Sequence, residues 1–248
     1  MLKKCVAWLA LAAVLMGAAP LPAVAQTIPD TKEFSIAAKG AVVIDAGSGR
    51  VYFAQNANGR LPMASTTKIM TALLALEQPD LDEPFVVDSA AIRVEGTSMG
   101  LKEGDTVTLR TLAHGMLLPS GNDAANAAAV RIAGSKDAFA ELMNEKAREL
   151  GLEDTHYVTP SGLDADGHYS SAYDLAILAA YALENPDFRE ICCKESAKVE
   201  FGNPPYGRWL KNHNKLLNLY PYAIGVKTGY TDDAKRCLVT AAQKDGVT

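Results

Sequence analysis

The stretch PMASTTKIMTALLALEQ (residues 62–78) decides how the rest of the chain is read. From Ile69 to Leu76 it is almost unbroken apolar sequence. A surface helix keeps a polar side, so this pattern predicts a helix buried on most of its faces. Lys68 stands at its start, three residues after Ser65. A lysine held against such a helix is costly unless it is paired or used. On a helix, residues three apart share a face, one turn from each other. Ser65 can therefore set its hydroxyl beside the Lys68 amine. Desolvation lowers a lysine pKa, and a neutral amine can take the serine proton. The serine then becomes a nucleophile without a histidine. At the first turn, its own backbone N–H is also left open to a developing oxyanion.

Outward from this helix, the chain shows β-rich sequence at both ends and helical sequence between. GAVVIDAGSGRVYFAQN (40–56) reads as two short strands around a Gly-Ser-Gly turn. Short strands and loops are expected over 85–110. A helix follows from 111, then a break at Pro119-Ser120-Gly121 and an alanine-rich helix that permits close packing. Ser135 caps a further helix through Leu150, closed by Gly151. Residues 159–171 form a long loop and 172–185 a helix. Strand patterns return from 197, including 223–230 and 236–243. The fold expected is α+β: one antiparallel sheet made from both ends of the chain, with an inserted helical layer.

Composition narrows the function. The chain of 248 residues is 48% apolar and 21% charged, ordinary for a globular protein. Its net charge of −5, with no basic run, argues against nucleic-acid binding. Lys3 and Lys4, the apolar run CVAWLALAAVLMGAA, and AVA before Gln26 have the form of a cleaved targeting segment over 1–25. Residues 26–39 are then a polar leader, and 40–248 the functional domain. With Cys5 removed in the targeting segment, Cys192, Cys193 and Cys237 remain, odd in number and irregular in spacing, so they are read as free, buried thiols. His156, Asp164, Asp166 and His168 lie close together in the long loop, but their spacing matches no compact metal site. His114 and His213 read as ordinary helix and strand residues.

Two further triplets sharpen the reading of Ser65 and Lys68. Ser120-Gly121-Asn122 falls at a helix break, where a hydroxyl and a carboxamide can face a cleft. Lys227-Thr228-Gly229 falls on a strand, offering a charge, a hydroxyl and room for a substrate backbone. Each has a plain structural reading alone, as a helix cap or a strand end. Together, in this order, they form the signature of penicillin-recognising serine enzymes.

With these motifs the chain resembles the low-molecular-weight penicillin-binding proteins, serine-type D-Ala-D-Ala carboxypeptidases. The segments ASTTKIMTALLALE, LLPSGNDAANAAA, TPSGLDADGHYSSAYDLA, NHNKLL and GVKTGYTDDA carry the resemblance. It implies acylation of Ser65 by the penultimate D-alanine carbonyl, with Lys68 as general base. Ser120 relays a proton to the leaving amine, and Asn122 binds the substrate peptide. Lys227 keeps the potential positive, and Thr228 holds the terminal carboxylate beside Gly229. The N–H groups of Ser65 and Tyr230 form the oxyanion hole. Neither metal nor cofactor is implied. The implied partners are peptidoglycan stem peptides ending in D-Ala-D-Ala and β-lactam antibiotics, met in the periplasm or at the outer face of the cytoplasmic membrane.

Two departures from the family pattern stand out. Ala234-Lys235 replaces the usual Ala-Gly. After the hairpin turn at Asp245-Gly246, the family's next strand, its following basic residue and its membrane-surface helix are not in the sequence. The domain is therefore expected to lack its last strand, and membrane association would need those elements. The alternatives are a β-lactamase on the same scaffold, disfavoured by the lack of a Glu-x-x-x-Asn pattern in 150–172, and a truncated, non-catalytic peptidoglycan-binding paralogue.

Overall fold

The computed structural model describes residues 28–31 and 35–248; the targeting segment expected over 1–25 and parts of the leader lie outside them. β1 (Ala41–Ile44) and β2 (Val51–Gln55) form the first hairpin. A 3₁₀ turn, Ala64–Thr67, leads into α1 (Lys68–Leu76). Two-residue strands β3 (Phe85–Val86) and β4 (Thr106–Val107) pair across the next loop. Then come α2 (Leu109–Leu117), α3 (Asn122–Ala133), α4 (Lys136–Glu149), α5 (Ala172–Ala182) and α6 (Pro186–Cys192). A second hairpin joins β5 (Ser196–Phe201) to β6 (Tyr206–Lys211). A single turn, α7 (Leu216–Leu219), precedes the last hairpin, β7 (Ala223–Thr231) with β8 (Lys235–Ala242).

The expected buried helix is α1, whose residues are all buried. It packs against α2, α3, α5 and α6 and against β7. Ile69, Met70 and Leu73 are wholly enclosed, each contributing about 1.5–3 kcal/mol of burial. The alanines of α3 do what their size allows: Ala124, Ala125, Ala127, Ala128 and Ala129 are buried, and Gly115 of α2 lies against Ala124. Local signals set the helix starts. Thr108, Ser135 and Ser171 accept the N–H of Thr111, Ala138 and Asp174. The short helix α6 is not legible from apolar periodicity, yet Asn185 caps it and Pro186 opens it.

The strands are antiparallel, as expected, but the two ends of the chain do not merge into one ladder. The described strands make four two-stranded sheets. The first and last hairpins each pair only within themselves, and both pack on α5. An N–H of Ala46 donated to the Thr248 carbonyl at 2.8 Å links them. The Asp245-Gly246 turn forms, with both residues at positive φ and Lys244 bridged to Val247. Of the cysteines, Cys192 is buried and Cys237 half-buried, but Cys193 is exposed where α6 ends. His213 lies in the loop after β6 rather than on a strand.

The departure at Lys235 has a structural correlate. Lys235 closes the β7–β8 turn at φ +61°, the left-handed region. A side chain there costs about 1–2 kcal/mol, against about 0.5–1 kcal/mol of added unfolded-state freedom for glycine. Lys235→Gly should therefore stabilise the protein by roughly 0.5–1 kcal/mol, or about 1–4 °C in melting temperature. Thermal unfolding checks this, and an unchanged or lower midpoint would show that the turn carries no strain.

Candidate active site

The 3₁₀ turn, the α2–α3 break and strand β7 bring the three triplets to one place. Ser65 is half-buried on the turn, and Lys68 is fully enclosed at the start of α1. The Lys68 Nζ lies 2.8 Å from Ser65 Oγ, 2.7 Å from Asn122 Oδ1 and 2.6 Å from the Ser161 carbonyl. The Asn122 amide is oriented by its Nδ2, which donates to the Glu95 carbonyl at 2.7 Å. Burial holds Lys68 well below the usual lysine range; the charge of Lys227 acts in the same direction, and Asp123 opposes it.

With the amine neutral, these partners would assign the direction of each hydrogen bond. A neutral amine has two N–H donors and one lone pair. The amide oxygen of Asn122 and the carbonyl of Ser161 can only accept, so they take both donors. The lone pair is left for Ser65, whose hydroxyl can donate. The arrangement thus fits proton transfer from Ser65 to Lys68.

Ser120 and Lys227 form the second pair. Lys227 Nζ donates to Ser120 Oγ at 2.9 Å and to the Thr228 carbonyl at 2.7 Å. Burial depresses Lys227 to about 7. Ser120 has φ +63°, a conformation that costs about 1–3 kcal/mol unless its surroundings hold it. Here Thr97 Oγ1 donates to the Ser120 carbonyl at 2.6 Å, and Gly121 N–H donates to the Gly115 carbonyl at 2.8 Å. Asp123, buried beside them, accepts from Ser98 Oγ and from the N–H groups of Met99, Gly100 and Leu101. It fastens the 98–101 loop to the start of α3.

Gly229 serves the fold before any ligand. A Cβ at that position would sit 2.9 Å from the Ser65 nitrogen and 3.0 Å from the Ala64 Cβ. Its absence lets β7 lie against the serine turn. Thr228 is half-buried, while the Tyr230 side chain is 60% exposed and reaches toward Asp232.

The loop cluster considered for metal is knit by hydrogen bonds instead. His156 Nδ1 pairs with the Gly167 carbonyl at 2.7 Å, both His168 ring nitrogens have protein partners, and Asp164 accepts from Thr231 Oγ1 at 2.7 Å. Among the described residues, no group of three or more His, Cys, Asp or Glu side chains is placed to hold a metal. Sequence reasoning does not single out the carbonyls of Ser161 and Glu95 or the carboxylate of Asp123. Backbone acceptors leave no residue signature, although Gly162 beside Ser161 signals a close approach.

Comparison with known proteins agrees with the geometry. The profile of Peptidase_S11, described as D-alanyl-D-alanine carboxypeptidase, matches residues 25–248. The chain is 37% identical to the D-alanyl-D-alanine carboxypeptidase DacF of Bacillus subtilis, over 98% of this chain and 64% of that one. It is 41% identical to DacB2 of Mycobacterium tuberculosis, over 83% and 70%. Its structure resembles the Streptomyces K15 DD-transpeptidase with a TM-score of 0.80 at 33% identity, covering 89% of each chain. The chain thus spans about two thirds of the length of these two carboxypeptidases.

The burial of Lys227 sets a pH dependence of stability. Its folded pKa of about 7 lies below the ordinary lysine value of 10.5, so between these limits the unfolded chain binds more protons. Stability from this group therefore rises with pH across that window and is lost as pH falls toward 7. One proton corresponds to at most about 1.36 kcal/mol per pH unit. Urea unfolding between about pH 7.5 and 9.5 should show a slope that Lys227→Met flattens by up to that amount. Identical slopes would show that folding does not displace the Lys227 proton.

Proposed function

The chain belongs to the Peptidase_S11 family of D-alanyl-D-alanine carboxypeptidases, and on that basis we propose that it removes the terminal D-alanine from peptidoglycan stem peptides through an acyl-enzyme on Ser65. The observation that carries this reading is the fully enclosed Lys68 amine, whose Nζ lies 2.8 Å from Ser65 Oγ and also meets the amide oxygen of Asn122 and the carbonyl of Ser161. Residues 40–248 are taken as the catalytic domain.

Ser65 Oγ attacks the carbonyl of the penultimate D-alanine while its proton passes to Lys68. The tetrahedral oxyanion is received by the N–H groups of Ser65 and Tyr230. As the C–N bond breaks, the leaving amine takes a proton through the Ser120 hydroxyl. Asn122 gives its amide oxygen to Lys68 and one N–H to the Glu95 carbonyl, which leaves its second Nδ2–H for the substrate peptide. Thr228 and the Lys227 charge hold the departing carboxylate, and that anion raises the fraction of Lys227 that is protonated. Water then attacks the acyl-enzyme and restores Ser65. A β-lactam enters the same first step, since its strained amide presents the same carbonyl.

Family members act on cell-wall peptidoglycan. No helix among the described residues is long and apolar enough to cross a membrane. We take the protein to be exported and to act in the periplasm or at the outer face of the cytoplasmic membrane.

Three variants test the assignment. Ser65→Ala should abolish the covalent penicillin adduct seen by mass spectrometry, with the fold kept. Lys68→Arg keeps a charge but supplies no neutral amine, so acylation should fall by about 10²–10⁴-fold. Lys227→Arg keeps the positive potential and should lose less. An adduct on Ser65→Ala would move the nucleophile elsewhere. Equal losses for the two lysines would erase their separate roles. D-Alanine release from a D-Ala-D-Ala peptide by the wild-type protein separates this activity from rapid β-lactam turnover, the mark of a lactamase.

A further inference from the structure

A buried polar chain ends one residue before Ser65. The N–H of Val158 donates to His168 Nδ1 at 2.9 Å, and the N–H of Thr159 lies 3.4 Å from the same atom. An accepting Nδ1 places the ring proton on Nε2. Nε2–H therefore donates to Thr67 Oγ1 at 2.8 Å, and the Thr67 hydroxyl donates to the Ala64 carbonyl at 2.8 Å. Every donor in this chain has a single direction available. Thr67 is fully enclosed and His168 nearly so. Burial holds the ring neutral, at about 4, with His156 acting in the same sense and Asp164 against it. The Tyr157 ring meets His168 edge-on, centroids 6.0 Å apart.

Both ends of the chain matter to the reacting pair. Ala64 has φ +49°, a conformation an alanine keeps only where its surroundings hold it. Its carbonyl is pressed against Gly162, where a Cβ would come within 2.0 Å of it and 2.8 Å of Thr67 Oγ1. The segment fastened at Val158 and Thr159 also delivers the Pro160 carbonyl to Thr71 and the Ser161 carbonyl to Lys68, each at 2.6 Å. His168 thus joins the turn that carries the hydroxyl to the loop that takes one of the two Lys68 donors.

We propose that His168, acting through Thr67, is a positioning residue that holds Ser65 and Lys68 in register for acylation. The proposal rests on the acyl-enzyme reading above. Without the link, Ala64 can relax and the Ser161 carbonyl can withdraw. Misplacing a reacting atom by 1 Å costs about 10²-fold in rate. Water reaching Lys68 returns its pKa toward the ordinary range, so the acid limb of acylation moves to higher pH.

The test measures the second-order rate of fluorescent-penicillin acylation against pH, with thermal unfolding alongside. His168→Leu and Thr67→Val should each acylate about 10- to 100-fold more slowly, with the acid limb shifted upward. His168→Gln can accept from Val158 and donate to Thr67, so it should recover most of the rate. The Thr67→Val, His168→Leu double variant should be scarcely slower than either single one, because they break one chain. If His168→Leu does not fold, the near-isosteric Thr67→Val carries the test. Lower melting temperatures with wild-type rates and pH profiles would leave His168 a purely structural residue and overturn the proposal. If the wild-type protein does not label at all, this proposal and the acyl-enzyme reading fall together. If it labels and the variants match it, only the positioning role falls.

Discussion

A primary amine enclosed by two groups that can only accept and one hydroxyl that can donate is the arrangement the rest of the molecule serves. Leaving a charged lysine buried costs several kcal/mol, and giving up the proton avoids much of that cost. The enclosure must therefore be tight enough to make the neutral form preferable, yet polar enough to satisfy its two N–H bonds. Helices α2, α3, α5 and α6 seal α1, and the first residue of α3 and the loop at Ser161 bring acceptors of fixed polarity. Had Asn122 presented its NH₂ group, the lone pair would have faced a donor. Its bond to the Glu95 carbonyl prevents that.

The second lysine shares the constraint. Lys227 is as buried as Lys68, and a charge on either disfavours a charge on the other. With Thr228 as the proposed carboxylate site, a bound anion would bias which of the two lysines holds a proton. On that proposal, electrostatics as well as contact surface would distinguish a C-terminal peptide from an internal one.

What the sequence reveals of this arrangement follows its locality. Ser65 and Lys68 are legible because one helical turn fixes their distance, and the two other triplets because adjacent residues share a strand or a break. The buried helix is legible from its unbroken apolar run. The carbonyl of Ser161 is not, since a backbone oxygen belongs to no residue type. His168 draws attention as a possible ligand, but only its neighbours' N–H groups show that it bridges a loop and a turn. Gly229 reads as space for a substrate, and the structure adds that it leaves space for the protein's own chain at Ser65. The sheet expected from both ends resolves into separate hairpins on α5, because strand propensity says which segments extend and not which neighbours they choose.

The seating of Gly229 against Ser65 joins segments that lie far apart in the sequence. Contacts between such distant segments form only after the entropy of closing the intervening loop has been overcome. The helical layer, built from nearer neighbours, can condense first. During synthesis the N-terminal parts emerge first, so a growing chain can hold Ser65 and Lys68 on a formed helix while β7 is still unmade. On the proposed reading, reactivity is thereby tied to completion: until the last hairpin docks, Gly229 does not lie against the Ser65 turn and Lys227 does not reach Ser120.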